Sequence, residues 1–179
     1  MIAGARAVLW VRLDRPGNNA CRFAETGGDL LIEGSLMADG EDDMHYRIRA
    51  HESGATQRAR IDIADQMHVI ERTPERIWTL NDVAAEIGPT VRDIDLGLTP
   101  ATKTLVIRRL DLAIGDAAEI TTAWLDPSDW VLKPLRQTYR RTGELTYDYT
   151  APDYDYAGEF VVDDYGIVRT FPGLWQAQD

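Results

Sequence analysis

The sequence predicts an all-β protein, and three observations carry that prediction. Apolar residues recur at period two along most of the chain, the mark of half-buried antiparallel strands. Gly, Pro, Asn and Asp break these runs at the spacing of about 8–12 residues expected of a sandwich or barrel. No segment holds a 3.6-residue apolar period long enough to compete. The expected architecture is one domain over residues 1–179, with roughly a dozen strands and at most one or two short helices.

The elements follow in order. "AVLWVRL", "CRFAE" and "DLLIEGSLM" read as the first strands, divided by the turns "DRPGNN" and "ETGGD". In "MHYRIRA", Met44, Tyr46 and Ile48 share one face and His45, Arg47 and Arg49 the other. In "ATQRARIDIA", Ala59, Ile61 and Ile63 oppose Arg58, Arg60 and Asp62. "HVIER", "RIWTL" and "VRDIDL" continue the pattern. A helical turn is expected after Thr99, where Thr99 caps and Pro100 takes the first helical position. "TLVIRRLDLAI" reads as a strand covered on both faces, because Leu105 and Ile107 oppose Val106 and both faces are apolar before the arginines. "EITTAWL", "VLKPLRQTYRR", "LTYDY", "YAGEFVV" and "GIVRTF" supply the remaining strands. The hairpin "TYDYTAPDYDY" is expected to place Tyr147, Tyr149, Tyr154 and Tyr156 on one face, continued by Phe160 and Val162. "FPGLW" ends the chain with large apolar residues, and Trp175 is expected to pack.

Bulk properties exclude several functions. The chain is 44% hydrophobic and 27% charged, which places it with globular proteins. A net charge of −11 argues against nucleic-acid binding, since phosphate neutralisation needs clustered Lys and Arg. The single cysteine, Cys21, forms no internal disulfide and reads as a small buried residue. The opening residues lack a signal-peptide pattern, and no stretch approaches the ~20 apolar residues of a membrane helix. A cytoplasmic location is the default expectation.

Standard catalytic signatures are absent: no Gly-x-Ser-x-Gly elbow, P-loop, GxGxxG or HExxH. The three histidines are spaced for surface or strand-face roles, and no metal or cofactor is expected. The acidic stretch "DGEDD" lacks the ligand order of a calcium loop and reads as solvated charge. Asp93 and Asp95 remain, two residues apart and about 7 Å from each other on an extended strand. That separation lies in the range of glycosidase carboxylate pairs. Arg108 and Arg109 follow an apolar run, so at least one enters a dry environment and needs a carboxylate partner. A bidentate bond to Asp93 or Asp95 would supply it.

The blocks "DIDLGLTPATKTLVIRRL" and "FVVDDYGIVRTFPGLW", with "VLWVRLDRPG" at the start and Gln137 to Tyr139 between, resemble the putative glycolipid-binding family of bacterial proteins. The match runs from about Trp10 to Trp175. This chain has Lys103 where the family usually has Asn, and Val106 where it usually has Pro. The resemblance implies an antiparallel β-roll or half-barrel with an apolar interior. It also implies a non-enzymatic protein holding a glycolipid or other acyl-bearing small molecule. Under that reading the chain would lie against Tyr147, Tyr149, Tyr154, Tyr156 and Phe160, with Trp10, Trp124 and Trp175 as further lining. The head group would meet Asp93, Asp95, Arg108 and Arg109. The alternative reading is a hydrolase using the Asp93/Asp95 pair on a sugar or small polar substrate.

Overall fold

The computed structural model describes residues 3–40 and 42–178; Glu41, in the acidic stretch, lies outside the described residues. Fifteen strands form one sheet, and all neighbouring pairs but one are antiparallel. The N-terminal eight make a meander: β1 (Ala3–Arg12), β2 (Gly17–Thr26), β3 (Asp29–Ala38), β4 (Met44–His51), β5 (Thr56–Ile63), β6 (Gln66–Arg72), β7 (Trp78–Leu80) and β8 (Val83–Ala84). They run outward from the middle of the sheet to one edge. The chain then crosses to the opposite edge, where β9 (Ile94–Leu96) lies parallel to β10 (Ala117–Asp126). From there β11 (Val131–Arg141), β12 (Thr146–Ala151), β13 (Tyr156–Val162), β14 (Val168–Phe171) and β15 (Trp175–Ala177) return to the middle, and β15 pairs with β1.

This is an open half-barrel, as the family resemblance implies, and it is all-β, as the alternation predicts. In β4 every odd-facing residue from His45 to His51 is exposed while Met44, Tyr46, Ile48 and Ala50 are buried. The crossing segment ties the two edges together. The Thr56 N–H donates to the Arg92 carbonyl at 2.9 Å, the Trp78 indole donates to the Val91 carbonyl at 3.2 Å, and the Ala123 N–H donates to the Asp93 carbonyl at 2.8 Å. These bonds hold β5 and β7 on one side and β10 on the other.

One expectation is overturned. Residues 104–110 are helix, not strand: a 3₁₀ turn over Pro100–Thr102 leads into α1 (Lys103–Leu110). The Thr99 hydroxyl accepts from the Ala101 N–H at 3.1 Å, and Asp111, in the left-handed region at φ 42°, ends the helix with its N–H on the Ile107 carbonyl. A short apolar run does not distinguish a buried strand from a buried helix. Here the Thr-Pro start outweighed the strand preference of Val106 and Ile107. Leu105, Val106 and Ile107 are all buried, each contributing roughly 1.5–3 kcal/mol. The basic residues Arg108 and Arg109 occupy the last turn, where the helix dipole favours cations.

Candidate functional site

The site starts at the cap. The Thr99 hydroxyl also donates to Asn19 Oδ1 at 2.6 Å, and the Tyr46 hydroxyl donates to the same oxygen at 3.0 Å. These bonds pin the start of the helix to the meander, so that Lys103 on the first α-helical position faces β9. The Lys103 ammonium donates to Asp95 Oδ2 at 2.5 Å and to the Tyr149 hydroxyl at 3.1 Å, and it lies 4.7 Å from the centre of the Tyr149 ring. Asp95 also accepts from Thr102 Oγ1 at 3.2 Å and from Gln137 Nε2 at 2.5 Å. Gln137 in turn accepts from the Tyr139 hydroxyl at 3.0 Å. All these residues are buried, and each buried polar group has a partner, which is what makes such a network tolerable.

Electrostatics sets the protonation states. Burial pushes against the charge on Lys103, but the Asp95 carboxylate and the Tyr149 hydroxyl outweigh it and raise the pKa above that of ordinary lysine. Burial also raises Tyr149, with Lys103 opposing. At neutral pH Lys103 is therefore an ammonium beside a neutral phenol.

A cavity of about 180 Å³ opens onto this pair. Its walls are aromatic: Trp124, Tyr149, Tyr154, Tyr156, Phe171 and Trp175. Tyr154 lies across Trp124, with ring centres 4.5 Å apart and planes at 65°. The backbone of Gly97 comes so close to Trp124 that a Cβ there would sit 2.5 Å from the indole nitrogen. The Trp124 and Trp175 indole N–H groups make no hydrogen bond with the described residues.

The predicted residues divide between this place and others. Asp95, Trp124, Tyr149, Tyr154 and Tyr156 border the cavity, and Trp175, buried as expected, closes one wall. Tyr154 is not on the strand face with the other three tyrosines. It sits in a 3₁₀ turn over Pro152–Tyr154, half exposed, because the loop between β12 and β13 takes four residues. Tyr147 is opposite Phe160 on the sheet and under Arg141, away from the cavity. Trp10 is fully buried in the core, its indole donating to the Val168 carbonyl at 2.6 Å. Asp93 accepts from Arg109 through two nitrogens at 2.8 and 2.5 Å, the bidentate pair the sequence suggested, but on a helix and not inside a strand ladder. Arg108 instead bonds Glu25 and covers the Tyr165 ring at 3.9 Å. Lys103 was missed. Its signals were its place one turn after the Thr-Pro cap and its departure from the family's usual Asn.

A family model described as "Putative glycolipid-binding" matches residues 7–177. The chain belongs to this family. Among solved structures it is similar to a DUF1089 family protein from Pseudomonas aeruginosa, with 23% identity and a TM-score of 0.67, covering 97% of this chain and 92% of that one. That likeness speaks to the fold alone. Comparison with curated proteins gives no match. Among the described residues no helix is long and apolar enough to cross a membrane, and no cluster of three or more metal-ligating side chains occurs.

Proposed function

We propose that the protein binds an amphipathic, oxygen-bearing ligand, with a sugar ring or a short stretch of chain held in the Trp124–Tyr154 cavity and the rest of the molecule outside it. The carrying observation is an aromatic cavity lined also by the buried Lys103–Asp95 pair. Two of the three N–H donors of Lys103 are taken, by Asp95 and Tyr149. Such a lining favours a group rich in acceptor oxygens and flat enough to lie on aromatic rings. The family's glycolipid description is in keeping with this chemistry.

The volume sharpens the reading. At about 180 Å³ the cavity is below the 300–1,000 Å³ usual for drug-sized ligands. It admits a fragment, so a long acyl chain lying along the tyrosine face has less support than a ring seated on Trp124. Acid–base catalysis by Asp93 and Asp95 also has less support. Each carboxylate is committed to its own cation, Arg109 and Lys103 respectively, and neither shares a proton with the other.

Calorimetric titration with an alkyl glucoside below its micelle concentration tests the proposal. Saturable binding is expected, weakened up to about tenfold in Tyr154→Ala, because one aromatic contact is lost. Tyr154 is half exposed, so this change leaves the melting temperature nearly unaltered. Absence of saturable binding, or equal binding by the variant, would count against the reading.

A further inference from the structure

A second cavity, of about 510 Å³, lies between the crossing segment and the outer part of β10 and β11. Its lining is of another kind. Three arginines line it, Arg92, Arg109 and Arg136, together with Asp93 and Glu119. Thr90, Thr121 and Thr138 add hydroxyls. With Asp153, the partner of Arg136, the three arginines meet three carboxylates, and Arg92 is the one of the three without an ion pair among the described residues.

The hydrogen bonds already made show what those guanidiniums still have to give. Arg109 uses Nε and Nη2 on Asp93. Arg136 uses Nε and Nη2 on Asp153. In both, Nη1 makes no hydrogen bond with the described residues. Arg92 has a single long bond, Nη2 to Ser53 Oγ at 3.4 Å, and no carboxylate partner among the described residues. Behind it Arg72 donates to the carbonyls of Val91 and Pro89, stiffening the segment that carries Arg92 and adding a further positive charge. The two carboxylate pairs hold Arg109 and Arg136 in fixed orientations, which lowers the entropy cost of binding a ligand.

We propose that this cavity is an oxyanion site, taking a phosphate or sulfate group on Arg92 with Arg109 and Arg136 at its sides. Planar guanidiniums with free N–H groups suit tetrahedral oxyanions, and several together give charge-assisted bonds of about twice ordinary strength. The site stands apart from the Trp124 cavity and does not depend on what that cavity holds. The two adjoin at Gln137, which borders the arginine cavity and donates to Asp95, and at the 3₁₀ turn Pro152–Tyr154, whose first residue borders the arginine cavity and whose last borders the aromatic one.

The test is calorimetric titration in a low-ionic-strength chloride buffer with sodium sulfate, inorganic phosphate and glucose 6-phosphate. Alongside it, sedimentation with vesicles of phosphatidylglycerol, and of phosphatidylcholine as reference, reads lipid binding. Saturable binding is expected, with Arg92→Gln weakening it about tenfold, the usual effect of losing a hydrogen bond to a charged group. Arg58→Gln, whose guanidinium pairs with Glu71 on the exposed face of β5, serves as control and is expected to bind as the parent does. Arg92-dependent binding of the free anions assigns the site to a soluble ligand. Arg92-dependent retention on phosphatidylglycerol alone assigns it to a lipid head group, and either result upholds the proposal. No saturable binding of any probe, an Arg92→Gln variant that binds like the parent, or an equal loss in Arg58→Gln overturns it. Tyr154→Ala is expected to leave sulfate and phosphate binding intact, so this site and the aromatic cavity can fail separately.

Discussion

The inner faces of the two halves of the sheet are built on different terms. The meander β1–β8 lines its concave side with hydrocarbon: Val8, Phe23, Ile32, Ile48, Ile61 and Ile70 are all buried. The returning arm β9–β15 buries hydrocarbon as well, Leu96, Leu125, Phe160 and Val168 among it, but adds Asp95, Thr122, Gln137, Tyr139 and Tyr149, where the meander's buried polar side chains are Asn19, Thr56 and His68. Hydrocarbon needs only to be packed and excluded from water. Polar groups need a partner for every atom, and the arm meets that need through the Lys103–Asp95–Gln137–Tyr139 chain of bonds. Both halves contribute hydrocarbon to the core, and the arm carries the charged network in addition. The helix belongs to both, capped through Asn19 on the meander and inserting Lys103 into the arm.

The largest effect is expected where the polar half is broken. Lys103→Met leaves Asp95 buried without its cation, which typically costs about 3–5 kcal/mol. In a chain of 179 residues this lowers the melting temperature by roughly 10 °C. The double variant Asp95→Leu/Lys103→Met removes both charges and is expected to recover most of that loss, as measured by urea denaturation. A double variant as unstable as the single one would mean the network matters for some reason other than charge pairing.

The apolar half offers the contrast. Ile48→Ala, in the middle of β4 with no exposed surface, is expected to cost about 3 kcal/mol through lost transfer energy and a cavity. Glucoside affinity, compared by the same calorimetric titration, is expected not to change. If binding weakened along with stability, the two halves would not be separable.

The smallest effect concerns the place where the halves meet. His68 on β6 stacks on Trp130 from the turn after β10, with ring centres 4.7 Å apart and planes at 6°. Both its ring nitrogens are buried without a hydrogen-bond partner. Burial lowers its pKa below the ordinary 6.5. The unfolded chain thus takes up a proton before the folded one does, and stability falls as the pH drops from 6.5 toward the folded-state value. Urea denaturation at pH 7.5 and 5.5 is expected to show a smaller acid loss in His68→Phe, which keeps the stacking and removes the titration. An identical loss in the variant would place the acid sensitivity elsewhere.

Much of the meander is legible in the sequence itself. Alternation in "MHYRIRA" names the buried residues one by one; in "ATQRARIDIA" it gives Ala59 and Ile61, while Ile63 is only partly buried and Thr56, beside a register shift in the pairing with β4, is buried on the other parity. The buried Trp175 and the need of an arginine for an aspartate follow equally from local chemistry, since an exposed apolar terminus and an unpaired buried charge are both unfavourable. The helix at 103–110 is only half visible: Thr99 and Pro100 announce its start, but eight residues are too few for a helical period to separate from a strand. Which cation meets which carboxylate is not visible at all. Asp93 and Asp95 flank Ile94 in the chain, yet one reaches Arg109 and the other Lys103, six residues apart on the helix. That choice depends on where α1 docks, and the start of the helix is held by Thr99 bonding to Asn19, eighty positions earlier in the chain. Local sequence encodes alternation, caps and the need for a partner. The identity of the partner is a long-range contact, decided only when the helix docks.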